Sequence, residues 1–204
     1  ARSINPRFFT YHEKKRPYII LKYAATLDGF LAEPDGKSKW ITSSKSRESV
    51  HLLRSTCDAI LVGRRTVEKD DPSLTSHGIG KDPTKVILDP SKKITEDYSA
   101  LDKHTIHFSS ELRSNSPIEN IDIVLNKLYQ MNIQSLLVEG GAVTISHFLE
   151  SEMFDEIHAY YGPKLIGKGK TIFNGKKGIS ELLNLSIVDT EIFDNDIKIT
   201  YKRD

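Results

Sequence analysis

An α/β fold with a mixed, mainly parallel sheet and a closing antiparallel hairpin is what the sequence predicts, and three observations predict it. Short apolar runs alternate with amphipathic stretches for most of the chain. Those runs are nearly continuous rather than alternating in polarity, the mark of strands covered on both faces. Only the last segment, "LSIVDTEIFDNDIKITYKR" (185–203), changes to a period of two, at Ile197, Ile199 and Tyr201, after a "DND" turn. Alternating β and α elements followed by a hairpin read as one α/β domain.

Taken in order, "ARSINPRFFTYHEKKRP" is basic, aromatic and without periodicity, and residues 1–16 read as a linker or arm. "YIILKYAATLDG" (18–29) is a strand broken at Asp-Gly, a strong turn signal. "SSKSRESVHLLRSTC" is a helix with Thr42 or Ser43 as N-cap and Val50, Leu53 and Cys57 along one face. Strands follow at "AILVG" (59–63), "KVILD" (85–89), "TIHFS" (105–109) and "SLLVEGG" (135–141). Between the last two, Ile121, Val124, Leu125 and Leu128 fall at i, i+3, i+4 and i+7 of a helix over 118–133. "AVTISHFLES" (142–151) is a second amphipathic helix, buried through Ile145, Phe148 and Leu149, and "EIHAYYGPKLIG" (156–167) is a strand ending at Gly-Pro.

Composition narrows the function classes. At 204 residues the chain can bury a sizeable core. Net charge is +1, with no basic tract long enough to follow a nucleic-acid backbone, so nucleic acid is not an expected partner. No apolar run approaches the ~18–20 residues of a membrane span, and no membrane partner is expected. The N-terminus lacks the regions of a signal peptide. A single cysteine, Cys57, forbids an internal disulfide and suits a reducing, cytoplasmic compartment; it reads as a buried packing residue. The seven histidines show no metal-ligand spacing, so no metal is expected, and no serine-nucleophile motif stands out.

The chemistry-bearing residues cluster at strand ends. Glu139 and the Gly140–Gly141 pair stand where a strand passes into a helix, an arrangement that admits a ligand close to the backbone and an anion at the helix start. The same residues would also serve as a tight turn. Gly63 ends another strand, with Arg64, Arg65 and Thr66 beginning a turn or helix, and "LDPSKK" (88–93) ends a third. Ligands of α/β proteins bind at such strand ends, and the three together suggest an anion site. Trp40, the only tryptophan, is either core or interface filler or a stacking surface for a flat ring.

"LKYAATLDGFLA", "SKWIT", "HLLRSTCDAILVGRRTVEKDDPSLT", "ILDPS" and "LLVEGGAVTISHFL" occur in that order. From about residue 17 to the C-terminus they resemble the reductase domain of the bifunctional riboflavin-biosynthesis deaminase/reductase, with its K-x-A-x-S-L-D-G, S-x-W-I-T, R-x-x-x-D-A-I-L-V-G-x-x-T, D-D-P-x-L and E-G-G motifs. The resemblance implies a dihydrofolate-reductase-like fold over 17–204. It also implies NADPH as cofactor and reduction of the ribosyl group of 5-amino-6-(5-phosphoribosylamino)uracil. A phosphoribosylaminopyrimidine substrate, a homodimer, and a deaminase domain fused to or paired with this one come with it. "NPRFFTYHEKKRP" resembles the linker after the deaminase domain.

Placed residue by residue, the resemblance assigns Ala24, Trp40, Gly63, Thr66, Asp70 and Ser91 to the cofactor. The run that begins Gly141, Ala142, Val143, Thr144 and ends at His147 joins them. Ser38, Arg54, Leu74, His77 and Glu139 are assigned to substrate, with the planar Arg54 fork suited to its 5′-phosphate. Lys22, Asp70 and Glu139 are the acid/base candidates. Two departures stand out: Thr26 replaces a Ser, and Ser76–His77 replaces a Val-Arg whose Arg binds the substrate phosphate. Protonated His77 or Lys81 would have to take over. For the cofactor's 2′-phosphate, Arg64, Arg65, Ser91, Lys92 and Lys93 compete. Competing readings are a reductase of the non-deaminated diaminopyrimidinone, a folate or pterin reductase, and a catalytically idle domain supporting a deaminase.

Overall fold

The computed structural model describes residues 4–95, 97–112, 116–173 and 183–203. Among them, eight strands form one sheet in the order β5-β4-β3-β6-β1-β7-β10-β9. These are β1 (Tyr18–Thr26), β3 (Ala59–Gly63), β4 (Thr84–Leu88), β5 (Ile106–Phe108), β6 (Ser135–Val138), β7 (Glu156–Gly162), β9 (Leu185–Phe193) and β10 (Asp196–Arg203). The first six run parallel, and β10 and β9 are antiparallel additions at one edge. A separate two-stranded piece joins β2 (Phe30–Ala32) to β8 (Lys170–Thr171). The mixed, mainly parallel sheet with its hairpin is therefore as expected.

Both faces of the parallel part are covered, which explains the continuous hydrophobicity of its strands. Helices α4 (Pro117–Gln130) and α5 (Ala142–Glu150) bring Ile121, Val124, Leu125, Leu128, Ile145 and Phe148 against Ile19, Leu21, Leu61, Val86 and Val138. On the opposite face, Ile20, Ile60, Val62, Ile87 and Leu137 pack with Cys57, Val67 and Leu74, and Leu53 of helix α2 (Ser44–Ser55) joins them. Each such fully buried Ile, Leu or Val contributes roughly 1.5–3 kcal/mol over leaving it exposed. Helix α4 is started by a capping box, in which the Ser116 hydroxyl accepts from the Glu119 amide and the Glu119 carboxylate accepts from the Ser116 amide.

Two segments carry detail that the sequence pattern did not. The supposed arm carries helix α1 (Pro6–Lys14), capped by the Asn5 side chain with Pro6 in its first turn. It is short and docks through the buried Tyr11, whose ring packs on Tyr129 (ring centres 4.7 Å apart) and whose hydroxyl donates to the Tyr129 carbonyl (3.0 Å), while beyond the helix Arg16 grips Asp155 through two bonds. An Asn-Pro start was the available signal. In the hairpin the period of two holds, but Asp196 and Thr200 are the buried positions of β10. Ile197 is exposed and paired to the exposed Ile192, with Ile187 further along β9, whereas Ile199 is half-buried and Tyr201 packs against the core. Cys57 is buried as expected, just beyond the end of α2 rather than on its face.

Candidate active site

Because β1, β3, β4, β6 and β7 are parallel, their C-terminal ends open on one rim. Leu21 is paired with Val138, so Lys22 on β1 and Glu139 just after β6 extend that pairing at the rim. Helix α2 lies across this end and supplies Arg54. Its Nε donates to Glu139 Oε1 (2.8 Å) and its Nη2 to Oε2 (3.0 Å), while Nη1 donates to the Thr75 carbonyl (3.0 Å). Only 13% of the Arg54 side chain and 10% of the Glu139 side chain stay exposed, so the pair is nearly dry. The fork expected to hold a phosphate is thus occupied by a carboxylate.

This pairing sets the charges. Burial pushes the Glu139 carboxyl upward, but Arg54, Lys22 and His51 together outweigh it and hold Glu139 below the usual carboxylate range. Burial pulls the Lys22 ammonium down from the ordinary lysine value; the Glu139 charge opposes that pull and Arg54 adds to it. Lys22 Nζ also lies over the Tyr160 ring, 5.5 Å from its centre. The Tyr160 hydroxyl is 3.0 Å from Ser49 Oγ on α2, and burial pushes its pKa up to about 12.

Next to this polar centre lies a slot lined by small residues. Gly63 ends β3 and caps helix α3 (Arg64–Asp70), and Gly141 caps α5, neither with a side-chain hydrogen bond to the helix. A Cβ on Gly63 would stand 2.5 Å from Thr144 Oγ1, and one on Gly140 would stand 2.5 Å from Thr144 Cβ. Thr66 Oγ1 approaches Gly141 from the facing helix, 3.6 Å from where its Cβ would be. Gly63, Thr66, Gly141 and Thr144, far apart in sequence, therefore meet. Ala142 is half-buried there and Val143 exposed. Ala24 sits on β1 two positions beyond Lys22, on the same face.

A cleft of roughly 180 Å³ flanks the rim, lined by Ser38, Trp40, Thr26 and Lys164 among others. Trp40 is 61% exposed, with the Arg47 guanidinium 4.3 Å from its ring centre and Lys164 donating to its carbonyl, so it is not core filler. Thr26 replaces Ser without loss, since its hydroxyl donates to Asp28 (2.5 Å) and accepts from the Phe30 amide (3.1 Å). Asp28 in turn accepts the Ile166 and Gly167 amides, which fixes the wall of the cleft.

Other residues fall differently from expectation. The Leu74 side chain is buried in the core, leaving only its backbone for a ligand. Asp70 ends α3, half-buried, and among the described residues no hydrogen bond engages its carboxylate; Lys69 beside it donates to the Asp35 carbonyl (2.6 Å), which leans this end of α3 on the turn before Ser38. Asp71 next to it turns the chain in a left-handed conformation and accepts two bonds from Ser99. Ser91, after β4, donates to the fully buried Asp89 (3.1 Å). Arg64 lies between Asp89 and Glu68, which leaves Arg65, Lys92 and Lys93 as the exposed cations of this side.

His77 stacks on His51, ring centres 4.0 Å apart. His51 and Arg47 went unread in the sequence, although Arg47, His51 and Arg54 follow at i, i+4 and i+7 on a helix whose register was already evident. Among the described residues no group of three His, Cys, Asp or Glu side chains is placed to hold a metal, and no helix is long and apolar enough to cross a membrane.

Known proteins resemble this chain over most of its length. The riboflavin biosynthesis protein RibD of Aquifex aeolicus is 38% identical, over 100% of this chain and 62% of its own length. A 2,5-diamino-6-ribosylamino-4(3H)-pyrimidinone 5′-phosphate reductase of Methanothermobacter thermautotrophicus is 31% identical, over 82% of this chain and 88% of its own. Among solved structures, a diaminohydroxyphosphoribosylaminopyrimidine deaminase/5-amino-6-(5-phosphoribosylamino)uracil reductase of Thermotoga maritima superposes with a TM-score of 0.88 at 33% identity, covering 99% of this chain and 61% of that one. A dihydrofolate reductase of Enterococcus faecalis shares the fold, with a TM-score of 0.57 at 12% identity over 91% of this chain and 96% of that one. The chain spans between half and about three-fifths of the length of the RibD proteins it matches. A family model described as the RibD C-terminal domain matches residues 17–199, and the chain belongs to the RibD C-terminal domain family.

Proposed function

We propose that the chain catalyses NADPH-dependent reduction of the ribosyl group of 5-amino-6-(5-phosphoribosylamino)uracil to the ribitylamino product, the reductase step of riboflavin biosynthesis. The observation that carries this reading is the nearly dry Arg54–Glu139 pair with Lys22 beside it, at the same rim as the glycine-lined slot. A pyrophosphate would meet exposed backbone at Gly141, where the first amides of α5 have no side-chain cap to satisfy them. Gly63, Thr66, Gly141 and Thr144 would hold the dinucleotide, with Trp40 and Ala24 toward its reactive end and Arg65, Lys92 or Lys93 toward the 2′-phosphate. When bound, the nicotinamide supplies the hydride.

The chain's own groups then divide the proton work. As C1′ is reduced, its bond to the ribose ring oxygen breaks, and that oxygen needs a proton. Lys22 Nζ is the donor in this reading, since burial has already weakened its hold on the proton. Glu139, kept ionised by Arg54, accepts hydrogen bonds from the substrate and is unsuited to donate a proton. Asp70 serves at the cofactor side.

The test is nicotinamide oxidation at 340 nm with purified chain. Turnover dependent on the uracil substrate, and absent with dihydrofolate, supports the assignment; no oxidation with any pyrimidine refutes it. A second reading, reduction of the 2,5-diamino substrate, is favoured by the similarity to the Methanothermobacter reductase, and both pyrimidines belong in the same assay. A homodimer is part of the proposal, supported by the outward apolar residues Ile187, Ile192 and Ile197 on the edge hairpin.

A further inference from the structure

We propose that Tyr160 positions the proton donor of the reaction: the face of its ring holds the Lys22 ammonium at the rim without taking up any of its N–H groups. This deepens the reading in which Lys22 protonates the ribose ring oxygen, and rests on it for the consequence in catalysis. The arrangement begins in the register of the sheet. Tyr160 is the β7 partner of Ala24, and His158 is the partner of Lys22, so all four share one face. Because Ala24 carries only a methyl group, it leaves the Tyr160 ring uncovered, and Lys22 leans across with Nζ 5.5 Å from the ring centre. The ring itself is held on three sides. Tyr160 is buried in the sheet, its hydroxyl is 3.0 Å from Ser49 Oγ on α2, and Phe193 at the end of β9 stacks beside it, ring centres 6.3 Å apart at 25°.

The other charged groups around the ammonium are committed. Both Glu139 oxygens accept from Arg54, so Glu139 draws Lys22 by charge alone, and Arg54 repels it. His158, directly across from Lys22, is bonded to Glu156 (2.5 Å). On the hairpin, Lys198 pairs in register with Tyr160, but its ammonium is tied to Glu191 (2.5 Å) and does not compete for the ring. Among the described residues no hydrogen bond or ion pair reaches the Lys22 ammonium. A cation drawn out of water needs compensation, and here the negative face of an aromatic ring supplies it. The kind of compensation matters. A carboxylate bonded to Lys22 would hold the proton that the substrate must receive, whereas a ring face attracts the charge as a whole and leaves the N–H groups free. The ring stays neutral while doing so, since burial pushes the Tyr160 hydroxyl up to about 12.

The test reads Lys22 directly, through the pH titration of its Cε–H resonance in the full chain, assigned with Lys22→Met. In Tyr160→Leu the ammonium loses its ring, and the titration midpoint should fall by about one pH unit because only the charged form is destabilised. Tyr160→Phe keeps the ring and should titrate as the unaltered chain does. The alkaline limb of kcat should move down with the midpoint in Tyr160→Leu, since less of the donor is protonated at a given pH. A cooperative urea transition reports whether that variant is folded. Where it is not, phenylalanines fluorinated stepwise at position 160 drain charge from the ring face at nearly constant shape, and the midpoint should fall with each fluorine. An unmoved midpoint in folded Tyr160→Leu, a Phe variant that falls as far as the Leu variant, or a flat fluorine series overturns the inference. A midpoint that falls while kcat keeps its alkaline limb would remove Lys22 as donor and leave the Tyr160 contact standing. An unmoved midpoint alongside an inactive Lys22→Met would do the reverse.

Discussion

Arg54 and Glu139 meet through two parallel hydrogen bonds that tie helix α2 to the loop after β6. Removing one partner of such a dry pair strands the other charge, so Arg54→Met should cost about 3 kcal/mol at pH 7, read from the urea midpoint. In the unaltered chain the Glu139 carboxyl is held down, so its stabilisation is present above the unfolded carboxylate range and lost as pH falls through its folded value. In Arg54→Met the same carboxyl is buried without its main partner and pushed the other way, so the deficit should shrink between pH 7 and pH 5. A pH-independent deficit would place the cost elsewhere.

Lys22 offers the opposite trade. Burial disfavours its charged form, a penalty fully present below its folded pKa and relieved as pH rises from there toward the unfolded lysine value. Lys22→Met should therefore melt higher at pH 7, by roughly 1 kcal/mol of stability, while losing ribosyl reduction. Its stability advantage should narrow in alkaline buffer. A variant that retained turnover would remove Lys22 as the proton donor.

Gly63 and Thr144 give a test of the slot. Gly63→Ala puts a methyl 2.5 Å from Thr144 Oγ1, which should raise KM for NADPH several-fold. Adding Thr144→Ala removes the obstructing hydroxyl and should recover part of the loss, a coupling that independent sites do not show. Purely additive effects would argue that the two residues do not share a ligand wall.

The hairpin predicts assembly. Ile192 is 77% exposed on an edge strand beside Ile197. Ile192→Lys should convert a dimer to a monomer in light scattering while leaving the fold intact, since it replaces no core contact. A chain already monomeric at micromolar concentration would refute the homodimer.

The parallel strands and both amphipathic helices of the upper core were legible because burial on two faces leaves a direct imprint on sequence. Helix α1 was not, because it is short and docks through Arg16–Asp155 and a single tyrosine rather than an apolar stripe. At the site, Gly63 and Gly141 could be named in advance from the turn and the helix start they occupy, whereas Thr144 came only with the family resemblance. That Arg54 is paired with Glu139 could not be named, as the two lie 85 positions apart and only the fold brings them together. The burial of the Leu74 side chain was hidden for a similar reason: a leucine in a polar loop looks available until the fold turns it inward.

Asp196 carries one more consequence. Buried at the start of β10, it accepts the Ser43 amide (2.6 Å) and the Ser46 hydroxyl (2.5 Å), holding the first turn of the helix that bears Arg47, His51 and Arg54. The anchoring carboxylate arrives 153 residues after the amide it holds. During synthesis, a chain whose β10 has not yet emerged still lacks the brace that seats these side chains. Competence to bind should come late, once β10 has joined the sheet.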